Sequence, residues 1–280
     1  MKQISIVPEK PTQGLLHAED SSSPLHSLSS ILSCFQPVHL TDIGDASLMD
    51  RREEKYLITE EQALEILRTL PQDYHVLEIE GNRICGYETL YFDTERYETY
   101  LQHHNGYLNR YKVRSRRYQT TDQSFFEVKK KVNTGRSLKR RIPTEGMVTR
   151  IESYLKDFLY GCYPNDDAEF IPRLFNTYSR VTLVSPDHAE RVTMDFNLSY
   201  THEQKSVCLG GIVIVEVKIP ERGTFSHIRS VFRVMRIRSS SFSKYCIGVS
   251  LLCDDVKKNR FKPKLKRISS MVYEKMGALL

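Results

Sequence analysis

The chain has 280 residues, a net charge of +6, 40% hydrophobic and 27% charged residues. That apolar content supports a sizeable core and excludes a fibrous or wholly disordered chain, and no apolar run approaches the about 18 residues of a membrane-spanning helix. Six scattered cysteines without a CxxC pair exclude a disulfide framework or a zinc site and read as free thiols of a reducing, cytoplasmic compartment.

Residues 1–46 are rich in Ser and Pro and read as an N-terminal extension, partly disordered, in which "LHSLSSILSCF" has the makings of a short helix. One domain is expected over 47–280. It opens with a strand, "RREEKYLI", followed by a helix over "TEEQALEILRTLP". Thr59 and Gln62 form the capping box of that helix, Ala63, Leu64, Ile66, Leu67 and Leu70 its apolar stripe, and Pro71 its stop. Strands are then predicted near 83–93, 108–118, 124–132, 138–142, 174–184, 190–196 and 211–218. Helices are predicted at 95–104, 145–160, 224–237 and 265–277, with a further element at 244–252. Around eight strands with peripheral helices predict an α+β fold, a closed antiparallel eight-stranded β-barrel with the helices packed outside.

The charge is concentrated. From Arg110 to Arg141 there are twelve Lys/Arg against Asp122 and Glu127, and "KKNRFKPKLKR" (257–267) adds seven basic residues without an acid. Strand periodicity puts Lys112, Arg114 and Arg116 on one face, and other strands repeat the pattern with Arg51, Glu53 and Lys55, with Glu127, Lys129 and Lys131, and with Lys139 and Arg141. Arg180, Arg191, Asp195, Glu216 and Lys218 continue it. A charged face on one strand normally looks at water. Its recurrence on five or six strands, beside core material such as Val113, Phe126, Val128, Val192, Met194, Ile212 and Ile214, points to a charged lumen with helices outside. Convergent cations need a polyanion to compensate them. Arg suits a bidentate grip on phosphate, and interspersed carboxylates make sense as ligands of a divalent metal that bridges phosphates.

The ordered set "REEKYLI", "YFDT", "RYKVRSRRY", "FFEVKKK", "SLKRR", "RV…ERVTMD", "IVEVK" and "FSKYCIG" resembles a VTC-type polyphosphate polymerase domain, of the CYTH-like triphosphate tunnel metalloenzymes, over about 47–250. The resemblance implies transfer of the γ-phosphoryl group of ATP onto a growing polyphosphate chain, with ATP and polyphosphate or pyrophosphate as partners and Mn2+ or Mg2+ as the ion. It implies phosphate contacts from Lys55, Arg114, Arg116, Lys129, Lys139, Arg180, Arg191 and Lys244, with Arg51, Lys112 and Arg141 beside them. Lys55, Arg114, Arg116, Arg180 and Arg191 are expected to stabilise the transferring group. Glu216 resembles the metal ligand; Glu53 and Glu127 either bind metal too or hold neighbouring Lys and Arg side chains in place. Two departures stand out. Arg51 replaces the first Glu of the Glu-x-Glu-x-Lys strand that opens the related triphosphatases, and the further basic residue upstream of "RSR" has to be His103, His104 or Arg110.

Two rival readings are another tunnel-fold enzyme (a triphosphatase or nucleotidyl cyclase) and a non-catalytic binder of polyphosphate or RNA. Tyr107, Tyr111 and Tyr118 are expected on the face opposite most of the cations, which counts against base stacking and against a specific nucleic-acid partner. "VFRVMRIRSSS" reads as an amphipathic helix with a basic face, packed on the sheet or plugging one tunnel mouth.

Overall fold

A computed structural model describes residues 24–43, 51–134, 136–165, 167–220 and 225–277. Short elements open the chain: α1 (Pro24–Leu32), β1 (Pro37–Val38) and α2 (Leu40–Ile43). β2 (Arg51–Thr59) runs directly into α3 (Glu60–Thr69) through the expected capping box. Thr59 Oγ1 accepts from Gln62 N at 3.2 Å, and Gln62 Oε1 accepts from Thr59 N at 3.0 Å. There follow β3 (His75–Leu77), β4 (Cys85–Asp93), α4 (Glu98–Asn105), β5 (Arg110–Tyr118), β6 (Gln123–Lys131), β7 (Ser137–Thr144) and α5 (Tyr154–Tyr160). β8 (Ile171–Val184), β9 (Arg191–His202), β10 (Lys205–Leu209), β11 (Ile212–Pro220), α6 (His227–Val234), α7 (Lys244–Leu252) and α8 (Lys262–Gly277) complete the described chain.

The α+β character is as expected, but the sheet is not a closed eight-stranded barrel. It has eleven strands, ordered β2-β11-β9-β8-β4-β5-β6-β7 along its main path, with β10 on β9, β3 on β8, and β1 parallel to β3. The path ends at β2 and β7, which do not pair with each other. Chemistry at β7 explains the open edge. Pro143 has no N–H to give a further neighbour, and Lys139, Arg140 and Arg141 present adjacent charges, both of which suit an edge strand. The sheet nonetheless curls far enough that the carboxylates of Glu53 on β2 and Glu216 on β11 act electrostatically on Lys129 of β6. The result is a deep cradle.

Three apolar clusters brace it. On the outer face of β2, β11, β9 and β8, residues such as Val192, Met194 and Val215 pack against Ile66 and Leu67 of α3 and Ile228 and Phe232 of α6. Leu28, Leu32 and Phe35 join this cluster, and the Arg83 guanidinium donates to the Leu32 and Phe35 carbonyls at 2.6 and 3.1 Å. Residues 24–43 are therefore part of the fold and not an appendage; residues 1–23 and 44–50 lie outside the described residues. On the outer face of β5 and β6, Val113, Phe126 and Val128 pack on Leu155 and Leu159 of α5.

The third cluster corrects the picture of helices packed only outside. α7 lies against the concave face, where Tyr245, Cys246, Ile247 and Val249 meet Leu174, Leu198, Tyr200, Ile212 and Ile214. Ile212 and Ile214 share the face of Glu216, two residues on, so they line the cradle side and not the outside. Leu198 and Tyr200 reach the same side because the β8–β9 register shifts at Thr177/Ser179, beside Asn197 with its φ of 52°. Of the two readings of α6, packing on the sheet holds: it lies outside. The plug is α7, and its closest approach is Gly248. A Cβ there would stand 2.5 Å from Leu174 Cδ2 and 2.6 Å from Tyr200 Cδ1.

The motif "YFDT" secures this wedge. Asp93, fully buried, accepts from Thr99 N (2.9 Å), Thr99 Oγ1 (2.8 Å) and Tyr100 N (2.9 Å) at the start of α4, and from Tyr245 Oη (2.5 Å) of α7. No helix among the described residues is long and apolar enough to cross a membrane.

Gly248→Ala is expected to overpack the wedge and lower unfolding stability by about 1–3 kcal/mol. Leu32→Ala is expected to cost about 2–5 kcal/mol by opening a cavity. Urea unfolding followed by circular dichroism reads both, and an unchanged midpoint for Leu32→Ala would detach residues 24–43 from the fold.

Candidate functional site

The charged end of the cradle is built on strand register. On β5, β6 and β7, Lys112, Lys129 and Lys139 stand directly opposite one another, and in the next row Arg114, Glu127 and Arg141 do the same. Like charges in directly paired positions destabilise a sheet. The lysines show it. Burial, then the Lys112 and Lys55 ammonium groups, push Lys129 down to about 8, against the pull of Glu53 and Glu216. Burial also lowers Lys112 and Lys139, with further repulsion from Lys55 and Arg114 on the first and from Arg141 and Arg114 on the second. Lys112 Nζ donates to Ser243 Oγ, the N-cap of α7, at 2.9 Å.

Carboxylates hold the remaining cations apart. Glu127, 0% exposed, accepts Arg114 Nε at 2.7 Å and Arg114 Nη2 at 2.6 Å, with Lys139 Nζ at 3.6 Å. Burial works to raise its carboxyl, but Arg114, Arg116 and Lys139 outweigh it and hold Glu127 at about 2. On the facing wall Lys55 Nζ donates to both Glu53 and Glu216, and Lys218 Nζ lies 3.0 Å from the other Glu216 oxygen. Burial opposes the charge on Lys55, yet the two glutamates raise it above the ordinary lysine value. Against burial, Lys55, Lys218 and Arg180 hold Glu216 far below the ordinary carboxylate range.

Between these walls, Arg180 makes a bidentate pair with Asp195, at 2.6 and 2.9 Å, and Lys244 donates to the same carboxylate. The Arg180 guanidinium lies 4.9 Å from the Tyr87 ring and 5.2 Å from the Tyr178 ring, and Lys244 Nζ lies 4.5 Å from Tyr178. Arg116, nearly buried, donates to Thr89 Oγ1 at 3.3 Å.

The sequence-predicted residues Lys55, Lys112, Arg114, Arg116, Lys129, Lys139, Arg180, Lys244, Glu53, Glu127 and Glu216 thus converge on one face. Arg191 stands opposite Lys218 in the β9–β11 ladder. Arg141 sits on the exposed edge strand with its guanidinium 4.3 Å from the Phe125 ring. Arg51 opens β2, with its side chain outside the described residues. Of the candidates upstream of "RSR", burial and the charges of Lys112 and Arg110 drive His103 down to about 3, so it is a neutral neighbour of the lysine row. The His104 ring is tied to Asn105 and the Arg260 backbone, and Arg110 Nη1 donates to the Tyr107 carbonyl.

Sequence reasoning missed Asp195 as the partner of Arg180 and Lys244, which only cross-strand register reveals. Lys218, placed with Glu216 in the charged pattern, had no role assigned; the structure pairs the two. Tyr111 faces the outer core, as expected. Tyr118 lies on the cation side, 5.1 Å from Tyr87. The buried Tyr87 and Tyr178 rings lie beneath Arg180, a floor for the cation more than an open stacking platform.

Among the described residues, no group of three or more His, Cys, Asp or Glu could hold a metal ion by itself. Glu53 and Glu216 meet around Lys55, whereas Glu127 is engaged by Arg114 on the facing wall. A pair of carboxylates suits Mg2+ or Mn2+ whose remaining ligands are phosphate oxygens and water. Thr193 Oγ1, opposite Glu216 and buried with no hydrogen-bond partner among the described residues, is a further polar group there.

A family model described as the VTC domain matches residues 50–253. No curated protein matches the chain. Among solved structures the chain is similar to an adenylyl cyclase candidate from Hippeastrum, described as having a dominant triphosphatase activity. The identity is 14% and the TM-score 0.44, over 72% of this chain and 96% of that one. It is also similar to an adenylate cyclase candidate from Vibrio parahaemolyticus, with 12% identity and a TM-score of 0.42 over 70% and 95% of the two chains. A conserved protein of Pyrococcus furiosus aligns at 12% identity and a TM-score of 0.36 over 66% and 88%.

Lys129 sets a pH dependence whose sign is fixed. Its folded value near 8 lies below that of the unfolded chain, so without ligand its contribution to stability improves as pH rises from about 8 toward the ordinary lysine value near 10.5. A bound polyanion reverses this by favouring the ammonium. Tripolyphosphate affinity is therefore expected to fall about tenfold between pH 7 and 9 in the wild type. Isothermal titration calorimetry should find that component absent in Lys129→Arg; an equal slope in both proteins contradicts the assignment.

Proposed function

The chain belongs to the VTC domain family, and on that premise we propose that it is a polyphosphate polymerase, transferring the γ-phosphoryl group of ATP to the end of a growing polyphosphate chain. One observation carries the reading. The Lys112–Lys129–Lys139 row faces inward across three adjacent strands with only Glu127 among its acidic neighbours in the next row, an arrangement that a phosphate chain compensates. Arg51, in place of the first acidic residue that opens related triphosphatases, favours polymerase over hydrolase.

Phosphoryl transfer needs alignment and charge neutralisation more than a protein nucleophile. The lysine row orients the acceptor chain by point charges. Arg114 and Arg116, held by Glu127 and Thr89, and Arg180, held by Asp195, offer fixed guanidinium edges to the transferring group. A terminal oxygen of the chain forms the new bond to the γ-phosphorus as the bridging oxygen leaves with ADP. Lys55, Lys244 and Arg191 border the same path, and Arg141 with Lys139 lies at its exposed edge. Mn2+ or Mg2+ on Glu216 and Glu53, when bound, supplies Lewis-acid neutralisation of phosphate oxygens. Glu127 orients Arg114, a role its two contacts favour over metal binding.

Incubation with ATP, Mn2+ and a pyrophosphate primer should yield polyphosphate on a stained gel with matching ADP. Arg114→Ala is expected to lower kcat by about 10²–10³. Free phosphate without polymer would make the protein a triphosphatase instead, and cyclic nucleotide a cyclase.

A further inference from the structure

A second concentration of arginine lies on the opposite side of β2. Strand alternation turns Arg52, Glu54 and Tyr56 away from the cradle, toward α6. Together with the chain that follows α6 they line an open cavity of about 480 Å³. Arg52, Arg229, Arg233, Arg236 and Arg238 line it, with Glu54 the only acidic lining residue among the described residues.

The accounts do not balance there. Glu54 is shared by Arg52 at 3.0 Å and Arg229 at 3.2 Å, and also accepts Tyr56 Oη at 2.7 Å. Arg233, Arg236 and Arg238 have no carboxylate within ion-pair distance among the described residues. Their charges nonetheless surround a concavity, where repulsion is stronger than on an open surface.

The backbone adds an independent observation. α6 ends in a Schellman turn: Ile237 N donates to the Phe232 carbonyl at 2.8 Å and Arg236 N to the Arg233 carbonyl at 3.1 Å. The residue in the left-handed position of that turn, normally glycine, is Arg236, with φ of 56°. The turn fixes the Arg236 backbone beside the concavity. The segment is also pinned beyond the turn, because Ser240 N donates to the Lys55 carbonyl at 2.7 Å. Tyr56 and Phe232, ring centroids 4.2 Å apart, form a rigid apolar wall. The guanidinium groups are therefore carried on a preorganised frame.

We propose that this cavity is a second anion site, distinct from the cradle, that binds a compact phosphate-bearing anion through the bidentate geometry of its arginines. The source of that anion is either a free oligophosphate or a phosphorylated lipid headgroup. Phe225 and Val234, 76% and 83% exposed at the two ends of α6, are placed to touch a bilayer in the second case. The site does not rest on the polymerase reading, and its residues take no part in the cradle.

The test is calorimetric titration of the full chain with sodium tripolyphosphate at two salt concentrations. The proteins are the wild type, a cradle variant (Lys112→Ala, Lys129→Ala, Lys139→Ala), an outer variant (Arg233→Ser, Arg236→Ser, Arg238→Ser) and their combination. The cradle variant should still bind one tripolyphosphate, salt-sensitively, and the combined variant should bind it at least about tenfold more weakly, the loss of roughly one charge-assisted contact or more. Flotation with phosphatidylcholine vesicles, with and without phosphatidylinositol bisphosphate, separates the sources. Headgroup-dependent flotation that the outer substitutions abolish, without tripolyphosphate binding by the cradle variant, assigns the site to a lipid. Circular dichroism of the outer variant, whose substitutions are all at exposed positions, checks its fold, and its turnover of ATP reports separately on the cradle. The proposal is overturned if the cradle variant binds neither tripolyphosphate nor headgroups, or if the outer substitutions weaken neither of the two.

Discussion

Three lysines opposed in register across β5, β6 and β7 are costly to the isolated protein, and the rest of the concave face is organised around that cost. Sheet pairing forces Lys112, Lys129 and Lys139 into one row, and burial strips water from Lys112 and Lys129, while Lys139 stands at the open edge. The protein tolerates this by letting the lysines lose affinity for protons. It clamps its arginines, which cannot do so, between carboxylates: Arg114 on Glu127, and Arg180 on Asp195. Each carboxylate serves two cations and is itself held ionised by them, so the face is rigid yet retains excess positive charge. A polyanion relieves that excess.

The wedge formed by α7 decides where the charge can act. The same concave surface that is cationic toward Lys129 is apolar where Tyr245, Ile247 and Val249 cover Leu174 and Tyr200. The helix is fixed at its start by three polar links: Ser243 with Lys112, Lys244 with Asp195, and Tyr245 with Asp93. Packing and electrostatics therefore share one element. A shift of α7 would disturb the apolar plug and the cation grid together.

Much of this was legible in the sequence where physics is local. The capping box at Thr59 and Gln62 needs only four residues, and the parity of Lys112, Arg114 and Arg116 follows from the pleat. What stayed hidden depends on contacts distant in the chain. That Ile212 and Ile214 lie under α7, on the face of Glu216, requires knowing that a helix enters the concave side. Asp195 becomes a site residue only when β8 and β9 pair in one register. The closed barrel was expected from the strand count and the peripheral helices, but Pro143 and the basic run beside it mark β7 as an edge. His103 read as a candidate for the basic residue upstream of "RSR"; burial, with Lys112 and Arg110 beside it, removes its charge. Arg236 illustrates the converse, since a left-handed backbone at arginine leaves no trace in composition.

The central claim, that the lysine row faces a chain of phosphates, is tested most directly by a crystal structure of the protein with tripolyphosphate and Mn2+. The account predicts phosphate oxygens on Lys112, Lys129 and Arg114, and withdrawal of Lys55 from one of its two glutamates. Phosphates bound only outside the cradle, with the Lys112–Lys129–Lys139 row untouched, would contradict it.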